Sequence, residues 1–269
     1  MTDLPTNLTA VPSRLGSRAL VDERGLVIEI DDVQPFTLHH GVLRLSVLTF
    51  IVDVSAGVTL DTDPDSWTFT TDLSLRMRPV AAPGKVTATT TILRQGRRSA
   101  HGTVEVVDEG QQLVASGAIG FAHVPRKPGD PPKPQVTPEM IAARFTGTQR
   151  LSSPLRDEAG VTSIDPANGV VEIAVRPEVC NPAGTIQGAM VALVAEAATE
   201  DLMASMGEPS VVTDLDIRYL GQANVGPVRT RCRLLGSGPC PPVQIEIVDL
   251  ATDRTATLVY ARTSPPIDG

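Results

Sequence analysis

Two short stretches decide the fold: residues 71–76 read TDLSLR, and residues 213–218 read TDLDIR. They lie 142 residues apart, and the same offset separates Gly84-Lys85-Val86 from Gly226-Pro227-Val228. Two further matches follow in the same order at nearly the same spacing. Because ordered matches at a nearly constant offset do not arise by chance, the sequence predicts a duplicated unit.

Each copy carries the same succession of patterns. A short apolar strand is expected at 25–30 and again at 169–175. A long apolar stretch follows at about 40–59 and 187–206, too long for an ordinary strand and apolar on nearly all sides, which predicts a buried helix. Alternating segments then predict four strands per copy: 67–77, 85–93, 101–108 and 113–122, then 211–220, 228–235, 243–249 and 255–261. The fold class is therefore α+β, with an antiparallel sheet wrapped around a central helix in each unit.

A proline-rich segment separates the copies. Residues 125–138 contain six prolines, which is typical of a semi-rigid extended linker and excludes a helix or a central strand. The alternative is a long surface loop inside one domain. Since the repeat boundaries fall on either side of the segment, we expect units at 1–124 and 139–269.

Composition excludes several classes of function. The 269 residues carry a formal net charge of −8, which argues against nucleic-acid binding as the main role. No apolar run is long enough to span a membrane, and residues 1–10 lack the pattern of a signal peptide. The three cysteines have no metal-ligand spacing. We expect a cytoplasmic protein with no metal, no cofactor, no nucleic-acid partner and no membrane span.

One carboxylate in the second copy stands out. The stretch NPAGTIQGA at 181–189 leads into an apolar helix that contains Glu196. Burying an unpaired carboxylate costs several kcal/mol unless it is protonated or hydrogen-bonded, so Glu196 is a candidate functional residue. The alternative is a structural carboxylate, either buried in a hydrogen bond or on a narrow polar edge with Glu200.

The same stretch resembles the motif of hotdog-fold acyl-CoA thioesterases, most closely the hydroxybenzoyl-CoA and phenylacetate-pathway types. That motif has an Asn, a Gly three residues later, a His-Gly pair that opens a buried helix, and a carboxylate nine residues after the His. Here Asn181 and Gly184 match, Gln187-Gly188 stands in the His-Gly place, and Glu196 falls on the carboxylate. The resemblance covers nearly all of both copies and implies a tandem, or double, hotdog.

The resemblance also implies an activity and roles for these residues. The expected reaction is hydrolysis of an acyl-CoA, with Glu196 as general base or nucleophile and Asn181 positioning the water or the carboxylate. Gln187 replaces the His of the family, but the Gly188 N–H at a helix N-terminus can still polarise the thioester carbonyl. A hydroxyl is expected on the next strand, at Thr213 or one residue away.

In this family the sites lie between paired units, so residues of both copies should line each pocket. The two units would pair inside one chain as a pseudo-dimer, with a further homo-oligomer possible. Two rivals remain: a hotdog hydratase, whose motif is absent, and a module that binds acyl-CoA or a fatty acyl chain without hydrolysing it.

The first copy is harder to align. It offers a pair, His40-Gly41, as substrate-binding residues, and a carboxylate, Asp53, which a one-turn shift of the helix start would align with Glu196. Alternatively, Asp53 is a structural residue in a degenerate copy. We expect the helix of the second copy to carry the main site, with the strand around Thr71 and Asp72 as its opposite wall. A second pocket around Asp53 would then face Thr213.

Overall fold

Two units of the same architecture make up the chain. The computed structural model describes residues 10–23, 25–61, 63–129, 133, 136–181 and 183–267. The N-terminal unit contains β1 (Ser17–Asp22), β2 (Gly25–Ile30), β3 (Leu38–His39), β4 (Val42–Leu43), α1 (Leu45–Leu60), β5 (Ser66–Met77), β6 (Val86–Gln95), β7 (Ser99–Asp108) and β8 (Leu113–Pro125).

The second unit follows two short helices. These are α2 (Pro138–Arg144) and α3 (Leu155–Ala159), and the unit itself contains β9 (Thr162–Asp165), β10 (Val170–Ile173), α4 (Gly188–Ser205), β11 (Val211–Tyr219), β12 (Val228–Leu234), β13 (Val243–Asp249) and β14 (Arg254–Ser264).

One antiparallel sheet runs through both units. Among the described residues it has twelve strands in the order β1-β2-β6-β7-β8-β5-β11-β14-β13-β12-β10-β9. Read from either outer edge, the two halves have the same strand order, with α1 and α4 packed on equivalent positions. The double-hotdog fold that the sequence predicts is confirmed. The edge strands β1 and β9, which are short and partly polar, were not predicted.

The two halves meet where β5 pairs with β11. Ser74 lies opposite Asp216, and these are the two residues that the 142-residue offset makes equivalent. A pseudo-twofold axis therefore passes between them. This axis brings the N-terminus of each central helix towards the other helix.

Both central helices are buried by apolar contacts. Leu45, Leu48 and Ile51 of α1 are fully buried, as are Leu193 and Met203 of α4. Burying a side chain of this size contributes about 1.5–3 kcal/mol relative to leaving it exposed. Among the described residues, no helix is both long and apolar enough to cross a membrane.

Helix α1 begins five residues later than the pattern suggests. His40 and Gly41 have positive φ angles of 46° and 74° and form the two-residue turn between β3 and β4. Positive φ at both central positions is the geometry of a tight hairpin turn. The helix expected from about residue 40 therefore starts only after this turn, at Leu45.

The segment after the proline-rich stretch packs against the first unit. Thr137 caps α2 by accepting a hydrogen bond from the Met140 N–H, and Phe145 accepts one from the Ala19 N–H at 2.9 Å. The Leu151 N–H then donates to Gln34 Oε1 at 2.8 Å. The chain thus stays with the first unit well beyond the expected boundary at 139.

Candidate active site

Asp53 and Glu196 occupy equivalent positions. Each is the ninth residue of its helix, because α1 begins at Leu45 and α4 begins at Gly188. The pseudo-twofold axis places the N-terminus of each helix against the carboxylate of the other. The environments of the two carboxylates nevertheless differ in every contact.

Asp53 has hydrogen-bond donors on both of its oxygens. The Thr70 hydroxyl of β5 donates to Oδ1 at 2.6 Å, and Gln187 Nε2 donates to Oδ2 at 3.4 Å. Burial raises the pKa of Asp53, and the Thr70 hydrogen bond opposes that rise. A carboxylate with a raised pKa in a cavity is a candidate general base.

The Gln187 side chain is oriented by the helix that it caps. Its Oε1 accepts the Ala189 N–H at 2.6 Å, as an N-cap side chain does. The amide oxygen is occupied by this bond, so the NH₂ group faces Asp53. An imidazole is therefore not needed here, because the glutamine both caps α4 and contacts the carboxylate.

Gly188 is closely surrounded by side chains. A Cβ at this position would lie 2.8 Å from the Tyr219 hydroxyl and 3.6 Å from Asp53 Oδ2. That hydroxyl donates to the Gly188 carbonyl at 3.2 Å, and burial together with the Asp53 charge raises the pKa of Tyr219 well above 10. Among the described residues nothing accepts from the Gly188 N–H. It is a free donor at the positive end of a helix dipole.

The loop before α4 is held by its own asparagine. Asn181 Oδ1 accepts the Ala183 N–H at 2.9 Å, and the Gly184 N–H donates to the Asn181 carbonyl at 2.9 Å. Gly184 has a φ of 78°, which favours glycine. Asn181, Gly184 and Gln187 line the same cavity as Asp53. Asn181 therefore shapes the wall of the site through the turn that it stabilises.

The cavity is a mostly apolar pocket of about 660 Å³ between the two units. A volume of this size is typical of small-molecule sites. Four of the five phenylalanines of the chain line it: Phe50, Phe69, Phe121 and Phe145. The first unit contributes Asp53 and Thr70, and the second contributes the loop and the N-terminus of α4. Residues of both copies thus form one site.

Glu196 lies outside this cavity. Its side chain is 1% exposed, and its Oε1 accepts the Leu45 N–H at 2.5 Å. The guanidinium of Arg44 lies 3.9 Å from Glu196 and binds both oxygens of Glu200 at 2.8 and 3.0 Å. Burial raises the pKa of Glu196 to about 7, with the Arg44 charge opposing the rise. The expectation that the main site surrounds Glu196 does not agree with this geometry.

We call the buried surroundings of Glu196 the sealed site, and the surroundings of Asp53 in the cavity the open site. Three replacements distinguish the two. Arg44 stands where the open site has Gln187, and Leu45 stands where it has Gly188. The equivalent of Thr70 is Val212, which has no hydroxyl. Because Glu196 is one methylene longer than Asp53, it reaches the helix N–H that stays free in the open site.

The remaining predicted residues lie elsewhere. Thr71 and Thr213 occupy bulges in β5 and β11, and their hydroxyls donate to the neighbouring Asp72 and Asp214 at 2.8 and 2.9 Å. Neither threonine lines the cavity, and His40 and Gly41 are exposed in their turn. The hydroxyl at the carboxylate belongs to Thr70, one residue from the predicted register. Tyr219 was not predicted, since nothing in its sequence context marks it.

Other chemistry has little support in the described part of the chain. No group of three or more His, Cys, Asp or Glu side chains there could hold a metal ion. Cys180 lines the cavity, but burial raises the pKa of its thiol, which disfavours a thiolate nucleophile.

A Glu196→Gln substitution is expected to change the pH dependence of stability. Because the folded pKa of about 7 lies above the ordinary 4.5, the folded protein retains a proton that the unfolded chain releases. Wild-type stability relative to the variant should therefore fall as pH rises through this window and level off above it. Burial lowers the pKa of His39, 3.7 Å from Glu200, to about 4, which gives the opposite slope in both proteins and cancels in the difference.

Urea unfolding of both proteins at several pH values measures this difference. Glu178→Gln, at an exposed carboxylate, is the matched control and should behave as wild type. Parallel curves for wild type and Glu196→Gln would contradict the raised pKa.

Comparison with known proteins agrees with the fold. Residues 69–115 match the model of the Thioesterase superfamily. No curated protein sequence matches the chain. The segment that matches includes Thr70, most of β5, and all of β6 and β7.

Several solved structures superimpose on almost the whole chain. An acyl-ACP thioesterase from Bacteroides thetaiotaomicron is 12% identical with a TM-score of 0.60, covering 88% of this chain and 97% of its own. The TesB protein of Mycobacterium avium subsp. paratuberculosis is 14% identical with a TM-score of 0.63, covering 96% and 98%. The 12:0-ACP thioesterase of Umbellularia californica is 9% identical with a TM-score of 0.58, covering 89% and 96%. At these identities the likeness shows the double-hotdog fold.

Proposed function

We propose that this chain hydrolyses an acyl thioester, and more specifically an acyl-CoA, at Asp53. The observation that carries the proposal is the arrangement around that carboxylate. Asp53 accepts from Thr70, faces the amide of Gln187, and lies near Gly188 at the start of α4. Asp53, Thr70 and Gln187 line a mostly apolar cavity. A base, a helix N-terminus and an apolar pocket together are what thioester hydrolysis requires.

The chemistry follows from these positions. The thioester carbonyl oxygen accepts the Gly188 N–H, and the dipole of α4 stabilises the negative charge that develops on it. Asp53 removes a proton from water as the water oxygen bonds to the carbonyl carbon. The C–S bond then breaks, and the thiolate takes the proton from the Asp53 carboxyl group.

General-base catalysis fits better than attack by Asp53 itself. Thr70 and Gln187 contact the two carboxylate oxygens, so a nucleophilic oxygen would first lose a donor. The carboxylate that these donors orient positions the attacking water in the proposed mechanism. Proximity of this kind supplies a large part of the rate enhancement in enzymes.

The comparisons support this reaction class. The Thioesterase superfamily match covers the strand that carries Thr70, and the superimposed structures include proteins described as acyl-ACP thioesterases. The acyl group of the substrate can be attached either to CoA or to an acyl carrier protein (ACP), and these are two versions of the proposal. We favour CoA, and acyl-ACP is the other outcome of a carrier comparison.

Turnover of acyl-CoA thioesters, measured by release of the free thiol, tests the proposal directly. Binding of non-hydrolysable acyl-CoA thioethers is measured beside it. Hydrolysis with saturation kinetics supports the enzyme. Tight thioether binding with no hydrolysis of any acyl-CoA or acyl-ACP would instead favour the binding module.

A Thr70→Val substitution should lower kcat/KM roughly ten- to a hundredfold. The variant keeps the shape of the side chain and removes a hydrogen bond to a charged group, which is worth about 1.5–3 kcal/mol. Since that bond lowers the pKa of Asp53, its loss should also move the acid limb of the pH–rate profile upwards. Thr71→Val is the matched control, because the Thr71 hydroxyl bonds Asp72 instead. Equal kinetics for the two variants would contradict a role for Thr70.

A further inference from the structure

The cavity follows one face of α1. Its lining includes Phe50, Val54, Gly57 and Asp61, which recur three or four residues apart and therefore lie on the same side of the helix. Asp61 comes eight residues after Asp53, about 12 Å away at about 1.5 Å per residue. A groove of that length leads away from the reacting carboxylate.

Lys133 and described residues of the segment 136–145 cover this groove. The ring of Phe145 packs edge-on against Phe50 with centroids 5.8 Å apart, and Lys133 Nζ lies 2.6 Å from Asp61 Oδ1. Lys133 thus contacts the end of α1 at Asp61, and Phe145, twelve residues later, contacts Phe50 near its start. Ile141, on α2 between these two contacts, also lines the cavity.

Charged side chains lie at both ends of the groove. At one end Lys133, whose side chain is 3% exposed, donates to Asp61 and to the carbonyls of Asp63 and Ser66 at 2.8 Å. A buried charged group with these partners cannot be displaced by an alkyl chain without a large desolvation cost. That end is closed.

The other end carries cationic side chains. Arg144, the last residue of α2, lies next to Phe145, and its Nε makes no hydrogen bond with a described residue. Arg176 also lines the cavity. A polar thioester carrier suits this end, and the apolar stretch of the lining between the two ends suits an acyl group.

Gly57 leaves space on the floor of the groove. It is the only glycine of α1, and glycine destabilises a helix interior relative to alanine. A Cβ there would meet only Phe121, at an ordinary 3.8 Å, so the backbone does not require glycine. In the sealed site the equivalent position is Glu200, whose side chain fills that space. A side chain at Gly57 would therefore project into the groove.

We propose that Gly57 determines the acyl-chain length that the site accepts. The acyl group extends from Asp53 across Gly57, beneath Phe145 and Ile141, towards the Asp61–Lys133 pair. This inference rests on the proposed function for its substrate, while the binding of free fatty acids tests the groove without any hydrolysis.

Binding and turnover across an acyl series test this inference. Isothermal titration measures binding of fatty acids from butyrate to palmitate, and thiol release measures hydrolysis of the corresponding acyl-CoA thioesters. With Gly57→Ala, short chains should bind as in wild type. Long chains should bind about fourfold more weakly for each methylene group that no longer fits. Thermal stability should rise in the same variant, since alanine favours the helix.

Matched variants separate this effect from general damage. Gly57→Val should shorten the accepted chain further, and Thr59→Ala, in the same helix but outside the cavity lining, should leave the series unchanged. If Gly57→Ala weakens all chain lengths equally, or none, the inference is overturned. If fatty acids bind with the expected length dependence while no thioester is hydrolysed, the groove stands and the proposed function fails.

Discussion

Asp53→Asn is expected to lower kcat for thioester hydrolysis on the order of 10²–10⁴-fold, the usual effect of losing a positioned general base. Asparagine keeps the shape of the side chain and still accepts from the Thr70 hydroxyl. The cavity and its apolar lining do not change, so the affinity for an acyl-CoA thioether should change little. A loss in kcat with binding retained identifies a group that acts on the transition state.

Glu196→Gln is the matched comparison for this variant. Glu196 is the repeat-equivalent of Asp53 but is sealed behind Arg44, so its amide variant should retain wild-type turnover per folded molecule. If Glu196→Gln abolishes turnover and Asp53→Asn does not, the assignment of the two sites is reversed. If neither changes turnover, Asp53 is not the base and the proposed mechanism is wrong.

Much of the fold could be predicted from the sequence because each copy shows the same succession of strand and helix patterns. Strand alternation, two buried helices and the constant offset all agree, and agreement across levels is typical of well-specified folds. The helix start at Leu45 was missed because a hairpin turn at His40-Gly41 resembles the motif that opens α4. The identities of His40 and Gly41 alone do not show that both residues adopt positive φ angles.

The location of the site could not be predicted in the same way. The motif at Asn181, Gly184, Gln187 and Gly188 was correctly placed at a helix N-terminus, but it was paired with the carboxylate of its own helix. The pseudo-twofold axis instead brings it to Asp53 of the other unit. That exchange depends on how β5 and β11 pair, and no local pattern encodes it.

Arg44→Met is expected to destabilise the protein by about 3–5 kcal/mol at pH values above 7, the range found when one partner of a buried ion pair is removed. The Arg44 side chain is 7% exposed and is the cation against both Glu196 and Glu200. Without it two buried carboxylates face each other. Protonation relieves this repulsion, so the loss of stability should shrink as the pH falls.

A second substitution decides whether the charge is the cause. The double variant Arg44→Met with Glu200→Met removes one charge of each sign, and apolar groups of similar volume often replace a buried ion pair at little cost. It should recover most of the stability lost in the single variant. Arg229→Met is the control, since Arg229 binds Glu172 with similar distances but is 41% exposed. An exposed pair of this kind contributes about 0–1 kcal/mol.

Urea unfolding together with turnover per folded molecule gives the result. Because Arg44 belongs to the sealed site, its variants should keep the activity of the Asp53 site wherever they are folded. If the double variant is no more stable than Arg44→Met, packing around Arg44 rather than its charge holds the sealed site together. If Arg44→Met is as stable as Arg229→Met, the buried cluster contributes no more than a surface pair. The buried ion pairs around Glu196 would then close the sealed site without stabilising the fold.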